Sequence, residues 1–243
     1  RNSSIRFGYD LPAVNLQGGH VVGGVFLEYA DADSTISSAF GTTGIETKAW
    51  GVGASLTWYG STGVYADLAG RILSFDNDID GVDEAQGGVG GTLSVEAGRE
   101  IALTDSWTIT PQAQITYSTY DLDTVTGAMG ETIEFGDGSR VQGRIGADFE
   151  RTWTNDDGRI STMFVSANYI DDFSFEGDLA VTSAGSTTSY DEDYAQRVAE
   201  VGLGGDFSLG ATGELSGGVY ASRGLEGNSG TNLRGQLSLD FRW

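Results

Sequence analysis

Strict alternation of apolar and polar residues is the feature that most limits what this sequence can fold into. Over the last eleven positions the residues of one parity are apolar, with a glycine completing the row: Leu233, Gly235, Leu237, Leu239, Phe241 and Trp243. The residues of the other parity are polar: Arg234, Gln236, Ser238, Asp240 and Arg242. A period of two places successive side chains on opposite faces of a β-strand. The segment therefore predicts a strand with one apolar and one polar face.

Other segments repeat this pattern and also place aromatic residues at the ends of the apolar rows. In 47–59, Trp50 and Trp58 lie at the two ends of a row whose middle holds Val52, Ala54 and Leu56. Membrane-spanning barrels have aromatic residues at both membrane interfaces and small aliphatic residues between them. A soluble β-sandwich more often buries its largest rings at the centre of its core. The pattern favours a membrane barrel over a soluble sandwich.

The predicted strands are joined by connections that alternate between short and long. We predict eleven strands, at 4–11, 20–30, 47–59, 63–75, 88–99, 106–119, 140–151, 159–170, 196–209, 214–223 and 232–243. The short connections are 12–19, 60–62, 100–105, 152–158 and 210–213, and the long ones are 31–46, 76–87, 120–139, 171–195 and 224–231. Outer-membrane barrels alternate short periplasmic turns with longer extracellular loops. Residues 1–243 therefore predict a single all-β domain, a transmembrane antiparallel meander β-barrel.

The odd number of predicted strands raises a question about the parent barrel, because bacterial single-chain barrels have an even number. The last strand leads away from a long connection, which places Trp243 on the periplasmic side and Arg1 on the extracellular side. We therefore expect about 12 strands in the parent, with the first outside this segment or supplied by another one. A hairpin within 171–195 is the alternative explanation.

Composition excludes several classes of function. The formal net charge of −22 argues against a nucleic-acid partner, which would require a basic surface. His20 is the only histidine of the sequence, and Ser–His hydrolysis needs a histidine beside its nucleophile. We predict no catalytic residue, no cofactor and no metal site, although acids in the long connections leave an acid-only hydrolase open.

The polar parity of the predicted strands supplies the candidate lumen. Charged side chains on that face are suited to a hydrated passage and to ion pairs between neighbouring strands. They either solvate and stiffen the lumen or hold a linker helix and guide an unfolded chain. The predicted lumen-lining residues are Arg6, Asp10, Glu28, Asp67, Arg71, Glu96, Arg144, Asp148, Glu150, Glu200, Asp206, Arg223, Arg234, Asp240 and Arg242.

Several segments resemble the autotransporter β-domain family, the pertactin-like translocators of type V secretion. The segments occur in the family's order and cover essentially the whole chain. They are Arg6-Phe-Gly-Tyr-Asp-Leu-Pro12, Gly51-Val-Gly-Ala-Ser-Leu-Thr-Trp-Tyr-Gly60, Gly63-Val-Tyr-Ala-Asp67, Ser94-Val-Glu-Ala-Gly98, Pro111-Gln-Ala-Gln114, Gly143-Arg-Ile-Gly-Ala-Asp-Phe-Glu150 and Phe241-Arg-Trp243.

This resemblance implies a Gram-negative outer-membrane barrel that anchors and helps export an N-terminal passenger domain of the same polypeptide. It also implies extracellular loops, a periplasmic C-terminus, and contacts with outer-membrane lipid and lipopolysaccharide. Leu239, Phe241 and Trp243 match the family's C-terminal signal for the barrel assembly machinery, and they would also serve as an interfacial anchor. The alternatives are a stand-alone channel or porin, and a surface-binding, adhesin-like barrel that uses the 120–139 and 171–195 connections.

Overall fold

The computed structural model describes residues 2–38, 41–82, 85–127, 130–155, 158–191, 196–209, 213–225 and 230–241. No helix in these ranges is long and apolar enough to cross a membrane. The strands are β1 (Asn2–Asp10), β2 (Val14–Leu16), β3 (Gly19–Ser38), β4 (Gly41–Gly60), β5 (Val64–Ile79), β6 (Gln86–Arg99), β7 (Ile101–Ala102), β8 (Trp107–Leu122), β9 (Val125–Thr126), β10 (Thr132–Phe135), β11 (Gly138–Thr154), β12 (Ile160–Glu176), β13 (Asp178–Ser183), β14 (Ser186–Asp191), β15 (Arg197–Leu209), β16 (Gly213–Gly224) and β17 (Thr231–Phe241).

Eleven of these strands form one curled sheet in which each strand pairs antiparallel with the next long strand along the chain. The order is β1-β3-β4-β5-β6-β8-β11-β12-β15-β16-β17, and the short β2 and β7 pair with β3 and β8. Antiparallel neighbours joined by hairpins satisfy their backbone hydrogen bonds between strands, as a membrane-spanning sheet requires. The predictions of an all-β antiparallel meander and of its eleven strands are confirmed. The twelfth strand of the parent stays a prediction.

Burial in the sheet is inverted relative to a soluble protein. Among the described residues only Ala49 and Val125 are buried apolar residues, whereas Glu28, Asn168 and Asp172 are buried polar ones. Large apolar side chains are exposed along the strands, with Leu237 at 78% exposure. Such an apolar surface is far larger than soluble monomers expose, and a surrounding hydrocarbon layer accounts for it.

The strands reach further than predicted at the end with the long connections. The sequence pattern predicts a connection over 31–46, but β3 continues to Ser38 and β4 begins at Gly41. The register of this extension runs from Asp31 opposite Lys48 to Ser38 opposite Gly41. Both faces of the extension carry polar residues, so it lacks the alternation that reveals a strand within a membrane.

The two longest predicted connections together build a second, four-stranded sheet. Its order is β14-β13-β10-β9, so the 171–195 connection contributes the β13–β14 hairpin and the 120–139 connection contributes β9 and β10. A hairpin within 171–195 is thus present, but it pairs with β10 and adds no strand to the curled sheet. Ile133 pairs with both Val125 and Val181, giving the small sheet one apolar row.

Close packing across β4 depends on a glycine. A Cβ at Gly53 would overlap the ring of Phe26 on β3 and lie 2.8 Å from the carbonyl oxygen of Gly70 on β5. The Phe26 ring therefore occupies the space that a larger residue at position 53 would need. By contrast, no atom lies within 4 Å of the position that a Cβ would take at Gly235 on β17.

We expect Gly53→Val to destabilise the folded barrel by about 1–3 kcal/mol, because overpacking forces the Phe26 ring and the β5 backbone to move. The measurement is the temperature at which the compact, heat-modifiable band on a gel converts to the unfolded band. Gly235→Val is the matched control and should leave that temperature unchanged. Equal behaviour of the two variants would contradict the packing role of Gly53.

Candidate functional site

The two faces of the curled sheet differ in which side chains meet across it. On one face, polar side chains bridge strands that are not neighbours. Arg71 on β5 reaches Glu28 on β3, and Arg144 on β11 reaches Glu96 on β6. Such bridges over an intervening strand occur on the inside of a curled sheet, where side chains converge. We call this the concave face, and the opposite, largely apolar face the outward face.

A first cluster lies on the concave face of β1, β3 and β5. Glu28 is the central group, with its side chain only 8% exposed. Arg6 donates to its Oε2 at 3.0 Å, and Nη1 of Arg71 donates to the carboxylate at 3.2 Å. The Arg6 guanidinium also lies 4.2 Å from the centroid of the Phe26 ring. One buried carboxylate is thus shared by two arginines, which compensates its desolvation.

A second cluster is centred on Arg144 and spans β5 to β11. Its guanidinium donates to Oε1 of Gln114 at 3.0 Å and to the carboxylate of Glu96. The Tyr65 hydroxyl donates to Glu96 Oε1 at 2.7 Å and lies 2.8 Å from Oε1 of Gln112. Gln114 in turn donates to Ser94 Oγ at 2.8 Å. The network therefore fixes the Arg144 guanidinium in one position.

This second cluster continues towards β17. Arg144 donates to Asn168 Oδ1 at 3.4 Å, and Asn168 donates to Glu200 Oε1 at 3.3 Å. Arg234 on β17 lies 3.6 Å from Glu200 and 4.5 Å from the centroid of the Tyr220 ring. Linked polar side chains thus run from β5 to β17 across the concave face, and linkage of this kind stiffens a sheet wall.

Acidic groups predominate at the short-turn end of the concave face. Glu150 accepts from Thr108 at 3.4 Å, and Glu214 lies directly opposite Asp240 in the register. Asp206 is half-buried on β15 nearby, and the described concave residues at this end include no lysine or arginine. The lumen is therefore negative at its short-turn end, while its described arginines lie nearer the middle and the other end. Such a field favours the entry of cations.

Three further predicted residues belong to this face. Asp67 accepts from Thr57 at 2.6 Å, and Gln112 donates to Asp148 at 3.3 Å. Oδ1 of Asp148 is buried without a hydrogen-bond partner in the described residues. Asp10 lies on β1 opposite Gly24, where a Cβ would come within 2.9 Å of its carboxylate. Arg242, like Trp243 of the terminal signal, lies outside the described residues.

The prediction that Arg223 lines the lumen is wrong. The register places Arg223 opposite Ala199 and Thr231, in the same row as the outward-facing Leu233 and Leu237. The concave neighbours in β16 are Tyr220 and Ser222. A shift of one residue moves a side chain to the other face of a strand, so parity along β16 assigns Arg223 to the outward face, at the long-connection end.

Sequence reasoning missed one strongly bonded pair at the long-connection end. Arg140 on β11 donates from Nε and Nη2 to the Asp172 carboxylate, both at 2.8 Å. Gln142 and the Gln196 backbone N–H also donate to this carboxylate, at 2.8 and 3.1 Å. Arg140 could have been found from the sequence, because it has the same parity as Gln142 and Arg144. Asp172 lay beyond the predicted end of its strand, next to a β-bulge.

The outward face carries aromatic pairs at both ends of the sheet. Tyr29 and Trp50 pair at 4.6 Å towards the long-connection end. At the short-turn end Trp107 and Phe149 stack at 4.7 Å, and Trp153 meets Phe207 at 6.3 Å. Trp50 and Trp58 mark the two ends of one row in β4, eight residues apart, which is about 26 Å along a strand. For strands tilted by about 35–45° this spans about 20 Å along the membrane normal, close to the roughly 25 Å height of the apolar band of a membrane barrel.

The predicted terminal signal residues Leu239 and Phe241 also lie on the outward face, with 52% and 60% exposure.

His20 lies at the short-turn end of β3, where its ring stacks on Tyr59 at 5.1 Å. Its only described ring partner is therefore another aromatic side chain.

These features define a class of protein: a membrane-spanning β-barrel with an apolar outer band and a charged, hydrogen-bonded lumen. Comparison with known proteins then shows the family. Residues 1–239 match the family model of the autotransporter β-domain, so the chain belongs to the autotransporter β-domain family. Members of this family are outer-membrane barrels, and the chain is the translocator unit of such a protein.

The relatives and solved structures agree with this assignment. The chain is 34% identical over 155 residues to the adhesin BmaC autotransporter of Brucella suis, covering 60% of this chain and 4% of that protein. It is 28% identical over 193 residues to the pertactin autotransporter of Bordetella parapertussis, covering 76% of this chain and 20% of that protein. The chain thus spans less than a quarter of the length of either relative.

Two solved structures share the fold over the whole of this chain. The β-domain of the Bordetella autotransporter BrkA has a TM-score of 0.77 at 20% identity, with 90% of that chain covered. The transport unit of the Escherichia coli autotransporter AIDA-I has a TM-score of 0.77 at 18% identity, with 82% of that chain covered.

We expect Arg144→Gln to destabilise the barrel by about 1–2 kcal/mol, because it leaves the half-buried Glu96 carboxylate without its cation. The double variant Arg144→Gln/Glu96→Gln should recover most of the loss, since neither charge is then unpaired. Urea-induced unfolding in detergent, followed by tryptophan fluorescence, measures both differences.

Arg223→Gln serves as the control, because it removes an arginine from the outward face and should change stability little. Additive losses in the double variant would contradict a direct interaction between Arg144 and Glu96.

Proposed function

We propose that this barrel anchors an N-terminal passenger domain of the same polypeptide in the outer membrane and helps export it to the cell surface. The observation that carries the proposal is the combination of family membership with a polar, hydrogen-bonded concave face. Membership supports the attachment of a passenger, because the relatives are several times longer than this chain. The concave face supplies the hydrated surface that a passing polypeptide requires.

The arrangement of charges supports a conduit for an extended chain. The arginines of the two clusters are held in ion pairs and hydrogen bonds with neighbouring strands, so they lie along the wall. A polypeptide that moves along this wall meets groups whose hydrogen bonds are already satisfied, and it therefore binds them weakly. The same wall would also hold a linker helix with polar side chains. The lumen would then serve export both as a passage for the extended chain and as a seat for the linker.

The proposed orientation has the long connections outside the cell and the C-terminus in the periplasm. The extension of β3 and β4 beyond Tyr29 and Trp50 carries polar residues on both faces, as expected for a hairpin in water. The small sheet formed by β9, β10, β13 and β14 belongs to the same end. In this orientation that end contacts lipopolysaccharide, and the outward apolar band contacts the membrane lipid.

We assign the C-terminal row of Leu239, Phe241 and Trp243 to recognition by the barrel assembly machinery. Leu239 and Phe241 are exposed on the outward face of the final strand, where a partner has access to them before the barrel closes. Membrane anchoring by interfacial rings would use the same residues. A comparison with an aromatic residue at the opposite interface separates the two roles.

The size of the newly synthesised polypeptide tests the proposed function directly. An antibody against the 171–195 connection, applied to pulse-labelled cells, should detect a precursor much larger than the 25.6 kDa of this chain. Protease added to intact cells should then remove the part ahead of the barrel. A product scarcely longer than this chain would contradict the attachment of a passenger and favour a stand-alone channel or a surface-binding barrel. Conductance in planar bilayers would distinguish these two alternatives.

We expect Phe241→Ala/Trp243→Ala to lower the yield of folded barrel in the outer membrane by about tenfold, because the machinery loses its binding residues while each ring alone contributes little anchoring. The heat-modifiable fraction on immunoblots measures this yield. The control Trp50→Ala removes an interfacial ring from the opposite end and should leave the yield near that of the unmodified protein. Equal losses in both variants would reduce the C-terminal row to an anchor.

A further inference from the structure

A groove of about 610 Å³ lies on the outward face at the short-turn end, apart from the lumen. Its walls include Trp107, Phe149, Trp153 and Met163, and its one charged member is Arg151. We call it the interfacial groove. It lies beside two short turns, because Trp107 begins β8 and Trp153 is the penultimate residue of β11.

The outward-facing neighbours of Arg151 within the sheet are all apolar or aromatic, although its own side chain remains exposed. The register places it between Trp107 on β8 and Met163 on β12. Phe149 and Trp153 are its neighbours of the same parity along β11. The guanidinium lies 5.6 Å from the centroid of the Trp107 ring, within the range of a cation–π contact.

No carboxylate in the described part of the chain forms an ion pair with Arg151. The sequence has 35 acidic residues for 13 basic ones, so the absence of an acidic partner for Arg151 does not reflect a shortage of acidic residues. Arg197, another outward-facing arginine, lies 3.5 Å from Asp171 at the opposite end of the sheet. At a membrane interface, an exposed arginine with apolar and aromatic neighbours and no acid beside it has its guanidinium available for an anion from outside the chain.

The chemistry of the groove selects that anion. A guanidinium presents a planar fork of N–H donors that matches the oxygens of a phosphate. The tryptophan rings beside it are typical of the headgroup level of a membrane, where one side of a ring is apolar and the other polar. Met163 and Val165 continue the groove along β12 with apolar surface that suits an acyl chain.

We propose that the interfacial groove binds one anionic phospholipid, with the headgroup phosphate on Arg151, its glycerol region against Trp107 and an acyl chain along Met163. The inference rests on the proposed orientation, in which the short-turn end lies in the inner, phospholipid leaflet of the outer membrane. Binding there fixes the depth of β8, β11 and β12 in the membrane.

The test is lipid retention by the full-length protein, purified in detergent and measured by native mass spectrometry. Phosphatidylglycerol is the probe, phosphatidylcholine is the zwitterionic comparison and inorganic phosphate is the competitor. We expect Arg151→Gln to lower phosphatidylglycerol retention by about fivefold or more, since it removes the charged fork. Trp107→Leu should lower retention by about twofold to threefold, through loss of the cation–π contact.

Arg99→Gln is the matched control. Arg99 also ends a strand on the outward face at the short-turn end, but its register partner is Val64 and its neighbour along β6 is Ala97. It should retain phosphatidylglycerol as the unmodified protein does. Phosphatidylcholine carries the same phosphate but offsets its charge with a trimethylammonium group, so it should bind less tightly than phosphatidylglycerol and lose less of its retention in Arg151→Gln.

Three results would overturn the proposal: unchanged retention in Arg151→Gln, equal losses in Arg151→Gln and Arg99→Gln, or displacement of the lipid by millimolar inorganic phosphate. The last would make the site one for free phosphate. If Arg151→Gln does not fold, Arg151→Lys replaces it. We expect that variant to lose retention by about twofold to threefold, because a lysine lacks the planar fork. Full retention by Arg151→Lys would then contradict the proposal. If the lipid site is confirmed but the polypeptide carries no passenger, the proposed function fails and the lipid site stands.

Discussion

Every backbone N–H and C=O group within a hydrocarbon layer has to find a partner inside the protein, and the rest of the structure depends on this constraint. The antiparallel pairing from β1 to β17 meets it on both sides of the nine inner strands and on one side each of β1 and β17, as far as the described residues extend. Once the backbone is paired in this way, side chains alternate between lipid and lumen. The inverted burial follows, with exposed leucines such as Leu237 on one face and buried carboxylates such as Glu28 on the other.

The fold was predictable within the membrane and much less so beyond it. Alternation identified all eleven strands of the curled sheet, because inside the membrane the two faces meet different solvents. Beyond Tyr29 and Trp50 both faces of the β3–β4 hairpin meet water, so alternation disappears and residues 31–46 resembled a loop. The small sheet formed by β10 and β13 was hidden for another reason: its strands come from connections about 45 residues apart, and no local pattern specifies such a pairing.

Parity along the strands specifies which residues share a face, but it does not specify the interactions among them. Glu28, Glu96 and Arg144 share the concave face, and the Arg144–Glu96 pair bridges the intervening β8, so this pair depends on the curl of the sheet. Uncharged side chains such as Gln114 and Asn168 link the charged groups, and a search for charge alone does not find them. Arg223 shows the reverse error, in which a charge at the end of a strand was given to the lumen although its parity was that of Leu233.

The central claim is that lipid covers one face of each strand and water the other. It can be tested with cysteines introduced at adjacent positions, because this chain has no cysteine of its own. The measurement is the reaction of single-cysteine variants in outer-membrane vesicles with a hydrophilic maleimide. Ser94→Cys and Thr116→Cys report on the concave face, and Val95→Cys and Ile115→Cys report on the outward face of the same two strands. We predict labelling of the first pair and protection of the second, even though Val95 and Ile115 are 53% and 59% exposed in the isolated chain. Labelling of Val95→Cys and Ile115→Cys with protection of the other two variants would contradict a lipid-embedded barrel with a hydrated lumen.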